Sequence, residues 1–160
     1  MRPSRPVGIA LVVLLVAALV GGPIVGVVAL RHDSGDDFAA YCSVVEDRRD
    51  EIGAAVAAGP ETGLLRALPS FEALQDKAPE DIRDEWAVVT GRIRALRDAF
   101  AAAGVDPGSY DRKNPPASVS AKDRAAIETA AVRLGSEETR AALAGVDQQA
   151  RDVCHTPLSL

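Results

Sequence analysis

Histidine, cysteine and aromatic residues are scarce in this chain, and each scarcity closes off a class of chemistry. There are two histidines and two cysteines in 160 residues. Metal sites need clustered ligands; His155 adjoins Cys154, but adjacent residues on a helix point in different directions, and the other two lie far off in sequence. Neither His32 nor His155 stands with a Ser or Cys nucleophile and a carboxylate in a recognisable arrangement. His32 reads as a polar residue at a membrane boundary, and His155 as a partner for a helix C-terminus. Glycine-rich phosphate loops, dinucleotide fingerprints and redox Cys-x-x-Cys pairs are missing. The chain therefore reads as a non-enzyme that needs no cofactor and no metal. One Trp, two Tyr and three Phe are the whole aromatic complement. A core made largely of Ala, Val and Leu is thin per residue. It must gain stability from close helix packing and from a cross-link.

What the chain does have begins with Val7 to Leu30, VGIALVVLLVAALVGGPIVGVVAL, 24 residues without a charged side chain. As a helix this run is about 36 Å long, against a hydrocarbon core of about 30 Å. Pro23 and the neighbouring glycines are compatible with a membrane helix. Arg2 and Arg5 precede it, and Asp33, Asp36 and Asp37 follow Arg31. Positive charge stays inside, which predicts residues 1–6 in the cytoplasm and residues 32–160 outside. We read 7–30 as a retained transmembrane signal-anchor helix and 31–36 as a tether. The alternative is a cleaved signal peptide and a secreted domain, since Val27, Val28 and Ala29 are small enough for signal peptidase. Its usual apolar region, about 7–15 residues, is shorter than this one. Ala18, Gly22 and Gly26 are spaced as in close-packed membrane helix pairs, a pattern that an Ala/Gly-rich helix also shows by chance.

Fifteen basic and 23 acidic residues lie in 32–160, a net charge of −8. That balance carries no electrostatic footprint for nucleic acid. The membrane is the partner expected through residues 7–30, and an envelope protein is the partner expected outside. Cys42 and Cys154 sit near the two ends of this region. Outside the cytoplasm such a pair oxidises, so a Cys42–Cys154 disulfide is predicted; two free thiols or a shared metal are the competing readings.

The pattern along 37–160 predicts an all-α extracytoplasmic domain: an up-and-down bundle of about four main helices and a short helical connector. The first helix is placed at 37–58, with Phe38, Tyr41, Cys42, Val45, Ile52 and Val56 on one face. Its charge run, Glu46 to Glu51, reads as the solvated face. Residues 61–68 and 70–77 read as two short turns of helix broken at Pro69. Pro79 opens the longest helix, to about Ala103, with Ile82, Trp86, Val89, Ile93, Leu96 and Phe100 as its core seam. Glu80, Asp81, Asp84 and Glu85 crowd its start. Complementarity to the helix dipole explains them more simply than a paired-carboxylate site. Residues 105–118 read as a long loop from their Asp-Pro-Gly and Asn-Pro-Pro signals. Helices follow at 121–134, capped by Ser120, and from 137 to about 155, capped by Ser136.

Short motifs give the region a likeness. Phe38-Ala39-Ala40-Tyr41-Cys42, the run from Ala78 through Pro79 and Ile82 to Trp86, and the late Cys154 together resemble small extracytoplasmic helical proteins of high-GC actinobacteria. The resemblance implies the fold and the location and implies no activity.

Two places could make contacts. Tyr110, Asp111, Arg112 and Lys113 form a candidate interaction loop, because Tyr with Arg is the usual composition of contact hot spots. A solvated connection is the other reading. Trp86 could line an apolar slot for a small ligand, although its spacing matches a core position. The leading expectation is a membrane-anchored protein-interaction or structural module of the cell envelope; the alternative is a small-ligand-binding bundle with its slot near Trp86.

Overall fold

The computed structural model describes residues 38–59 and 62–159. The anchor at 7–30, its small-residue spacing, the cytoplasmic and tether segments, His32 and the Asp33–Asp37 cluster lie outside the described residues. Among those described, no helix is long and apolar enough to cross a membrane. Among the described residues there are five α-helices and no strand. Helix α1 covers residues 38–57; α2 is Gly63–Lys77, α3 Arg83–Ala103, α4 Ala121–Leu134 and α5 Glu137–Cys154, with a 3-10 turn Glu80–Ile82 ahead of α3.

α3 is the central element, packing against α2, α4 and α5. The six seam residues, Ile82 in the 3-10 turn and Trp86, Val89, Ile93, Leu96 and Phe100 in α3, are all buried, as their four- and three-residue steps require. Neighbouring helices run antiparallel to it. Thr90 meets Gln75 and Arg94 meets Glu72 on α2. Glu85 lies against Gly145, and Arg92 pairs with Glu138, on α5. α1 and α2 approach closely at Gly63, where an added Cβ would stand 3.0 Å from the Ala55 carbonyl oxygen and the Val56 Cα.

The connector is a correction. Residues 63–77 form one continuous helix of 15 residues, with Pro69 inside it. A proline in a helix interior removes one hydrogen bond and crowds the carbonyl four residues back. Here Pro69 is on the exposed face of the helix. On the other face Ala67, Leu68, Ser70, Phe71 and Leu74 are buried. Burying such side chains contributes about 1.5–3 kcal/mol for each large one, which outweighs a proline cost of about 3 kcal/mol. The bundle therefore has five helices rather than four and a connector. A smaller correction falls on Val56, which is 44% exposed rather than in the core.

Helix ends follow their sequence signals. Ser120 Oγ accepts from the Asp123 backbone N–H, and Ser136 Oγ accepts from that of Thr139. Gly104 ends α3 at φ 66°, a left-handed conformation natural to glycine. His155 ends α5 in the same region, at φ 56°.

Cys42 and Cys154 form a disulfide. The chain beyond it turns back onto the bundle. Arg49 donates to the Thr156 hydroxyl, the Leu158 N–H donates to Asp147, and the Leu158 side chain is 6% exposed. Above the disulfide, Tyr41, Phe71 and Trp86 meet in the main core. Trp86 Nε1 donates to the Tyr41 hydroxyl at 3.2 Å, and the Phe71 and Trp86 rings lie 5.8 Å apart.

Candidate functional site

The packing leaves a second apolar cluster, apart from the main core, where α4 lies on the C-terminal half of α3. It consists of Leu96 and Phe100 from α3 and Ile127 and Ala130 from α4. One side of it opens into a groove of about 1100 Å³. α3 floors the groove with Leu96 and Phe100, while α4 supplies one wall with Ile127, Ala131 and Leu134. Leu64, at the start of α2, stands on the other side. The walls are apart because α4 packs on α3 and not appreciably on α2.

The loop 105–119 forms the lip, and the candidate interaction residues Tyr110, Asp111, Arg112 and Lys113 all line the groove. They are held in place rather than trailing in water. Tyr110 packs edge-on against Phe100, with ring centroids 5.3 Å apart at 75°. Arg112 Nη2 donates to both carboxylate oxygens of Glu128 on α4, at 2.7 and 2.8 Å. Asp106 accepts the Gly108 N–H, which tightens the first turn. Asp111 accepts from the Asn114 side chain and the Lys113 N–H, tightening the second. The Asn114 hydrogen bond first, and then that of Lys113, hold the Asp111 carboxyl below its ordinary range. Val119 is buried and closes the loop against the bundle.

Charge is distributed unevenly about this site. Residues 89–140 carry nine basic and seven acidic side chains, a net +2 within a domain of −8. At the lip Arg112 and Glu128 neutralise one another, and Asp111, bonded only to the neutral Asn114 amide and Lys113 N–H, keeps its negative charge, so that the four charged residues of the lip sum to zero. The Lys113 ammonium has no carboxylate within ion-pair distance among the described residues.

The slot expected beside Trp86 is not where the open space lies. Trp86 is fully buried by Tyr41, Phe71 and the rest of the main core, and it lines neither cavity of note. The groove begins at Leu96, about 15 Å along α3 from Trp86, and runs toward Phe100 at the far end of the helix. The second concavity is shallow, between Asp84, Glu85 and Val88 on α3 and Glu138, Ala142 and Gly145 on α5. Glu80, Asp81, Asp84 and Glu85 stand on exposed or half-buried surface at the start of α3. Among the described residues no group of three or more His, Cys, Asp or Glu could hold a metal ion.

The sequence reading found the lip but not the groove beneath it. Leu96 and Phe100 read as core seam, and Leu64 falls in the short turns of helix placed at 61–68. Glu128 carried no signal, because its partner Arg112 is 16 residues away across a loop. A hint was available in α4, whose apolar stripe is too short to cover two neighbours. No family model matches the chain, and neither a curated protein nor a solved structure matches it.

Proposed function

We propose that this protein is a non-catalytic binding module of the cell envelope, anchored by residues 7–30, whose contact face is the groove beneath loop 105–119. One observation carries the reading: an apolar groove with an ordered aromatic and charged lip, on a chain with an empty catalytic inventory. The groove is open rather than enclosed. Small-ligand sites bury about 70–90% of their ligand, which favours a protein contact over a small molecule. The Cys42–Cys154 bond supports an oxidising compartment. Arg2 and Arg5 ahead of residues 7–30 support an outward-facing domain.

Two measurements test this. Protease added outside intact cells should degrade 37–160 and leave the anchor; full protection would remove the location. Proximity labelling in membranes should mark a defined set of neighbours that changes with Tyr110→Ala and Arg112→Ala. A labelling pattern that ignores both substitutions would remove the groove as the contact face.

A further inference from the structure

We infer that residues 106–118 are a hinged lid over the second apolar cluster, latched by the Arg112–Glu128 pair and plugged by the Tyr110 ring. The inference rests on the groove being the contact face, and it adds how that face is opened.

What covers the cluster comes first. Leu96, Phe100 and Ile127 line the groove, yet they are only 7%, 8% and 2% exposed. Part of their cover is the loop itself. Val105 and Tyr110 pack against the cluster, Tyr110 edge-on to Phe100. The loop also reaches both walls. Arg112 holds Glu128 on α4, and on the other side a Cβ added at Gly108 would stand 3.8 Å from Thr62 Cγ2, just ahead of α2. Space remains beneath the loop, since Pro107, Tyr110 and Arg112 line the same 1100 Å³ groove as the floor. The Tyr110 ring can therefore swing without displacing the main core.

The attachment is slight. Among the described residues, the Arg112–Glu128 pair is the one hydrogen-bonded link from 106–118 to any helix. The other hydrogen bonds of 106–114 close within the loop, Asp106 holding Gly108 and Ser109, and Asp111 holding Lys113 and Asn114. The segment thus keeps its own shape without help from the bundle, and Pro107, Pro115 and Pro116 stiffen it. Its two ends are fixed. The Val105 N–H donates to the Phe100 carbonyl, and Val119 is 3% exposed. A stiff, self-bonded segment between two fixed ends moves as a body, on hinges at those ends. The latch is an ion pair whose side chains are 62% and 52% exposed, and such pairs hold weakly. The Tyr110–Phe100 contact is the stronger restraint. Regions with so few buried contacts are the ones that open locally. Lifting the lid takes Tyr110 off Phe100 and presents Leu96 and Phe100 to a partner.

The test is fluorine NMR of the full chain in detergent micelles, with 3-fluorotyrosine at its two tyrosines. Tyr41, sealed in the main core, is the internal control. Tyr110 is expected to exchange on the microsecond-to-millisecond scale with a minor state at the chemical shift of a solvated tyrosine, and Tyr41 is expected to show no exchange. Glu128→Gln breaks the latch and leaves the lid sequence intact. It should raise the minor population about two- to fivefold and leave the Tyr41 signal unmoved. No exchange at Tyr110, or a population indifferent to Glu128→Gln, would overturn the lid. Proximity labelling in membranes separates the two readings. Glu128→Gln should increase labelling of the neighbours. Labelling that changes with Tyr110→Ala while Tyr110 shows no exchange would keep the contact face and overturn the lid. Latch-dependent exchange with labelling indifferent to every substitution would keep the lid and overturn the contact face.

Discussion

The Tyr41 hydroxyl is where the single indole N–H of the protein finds its partner, inside the core and next to the disulfide. Replacing Tyr41 by Phe keeps the ring and strands a buried donor. That is expected to cost about 1–3 kcal/mol, read as a lower denaturant midpoint with an unchanged slope. The same burial pushes the Tyr41 phenol up to about 12 from 10, desolvation being the main cause and its contact with Trp86 opposing it. The unfolded phenol therefore ionises first. Its contribution to stability is whole below pH 10 and is lost as pH rises through 12, about 3 kcal/mol in all. Wild type should lose more stability than Tyr41→Phe across that window; parallel curves would show that Tyr41 does not carry the effect. Two other buried polar residues escaped the sequence pattern. Thr90 and Thr139 are fully buried, satisfied by the Trp86 and Arg133 carbonyls. Hydrophobic spacing does not reveal a hydroxyl that folds back onto its own helix, as Thr90 does, or onto the end of the preceding one, as Thr139 does.

Among the helices, legibility followed the strength of the local pattern. The steps of α3 and the Ser caps of α4 and α5 appear in the structure at or near the positions read from sequence, because each depends on residues within a few turns. α2 was misread because Pro69 is a local breaker, while what retains the helix is its packing against α1 and α3. On that account Pro69→Ala, on an exposed face, should stabilise by about 1–2 kcal/mol, with helix content rising slightly in circular dichroism. Gly63→Ala should do the opposite. Its methyl would meet α1 backbone, which cannot swing aside like a side chain, at a cost of about 1–3 kcal/mol in thermal unfolding. The groove was illegible for a different reason. It arises from the spacing between α2 and α4, neither of which records in its own sequence how far away the other stands.

For the molecule as a whole, the staple closes 112 residues of sequence. Constraining the unfolded chain by a loop of that size contributes about 4–5 kcal/mol in the chain-entropy picture. Reduction, or paired Cys42→Ser and Cys154→Ser substitution, is expected to lower the melting temperature by about 10–20 °C. An unchanged melting temperature would mean that the bond adds nothing to the packed helices. The net charge gives no comparable stabilisation. Its ion pairs are on the surface, each contributing about 0–1 kcal/mol, so added salt should shift stability little.

The turned-back C-terminal segment and the Cys42–Cys154 bond put the first and last residues of the bundle side by side. A tug applied between those two ends runs through a sulfur–sulfur bond and bypasses the helices. Pulled in a single-molecule instrument, the oxidised domain should release only its short C-terminal flap and then hold as a rigid link. The thiol form should unravel along its full contour.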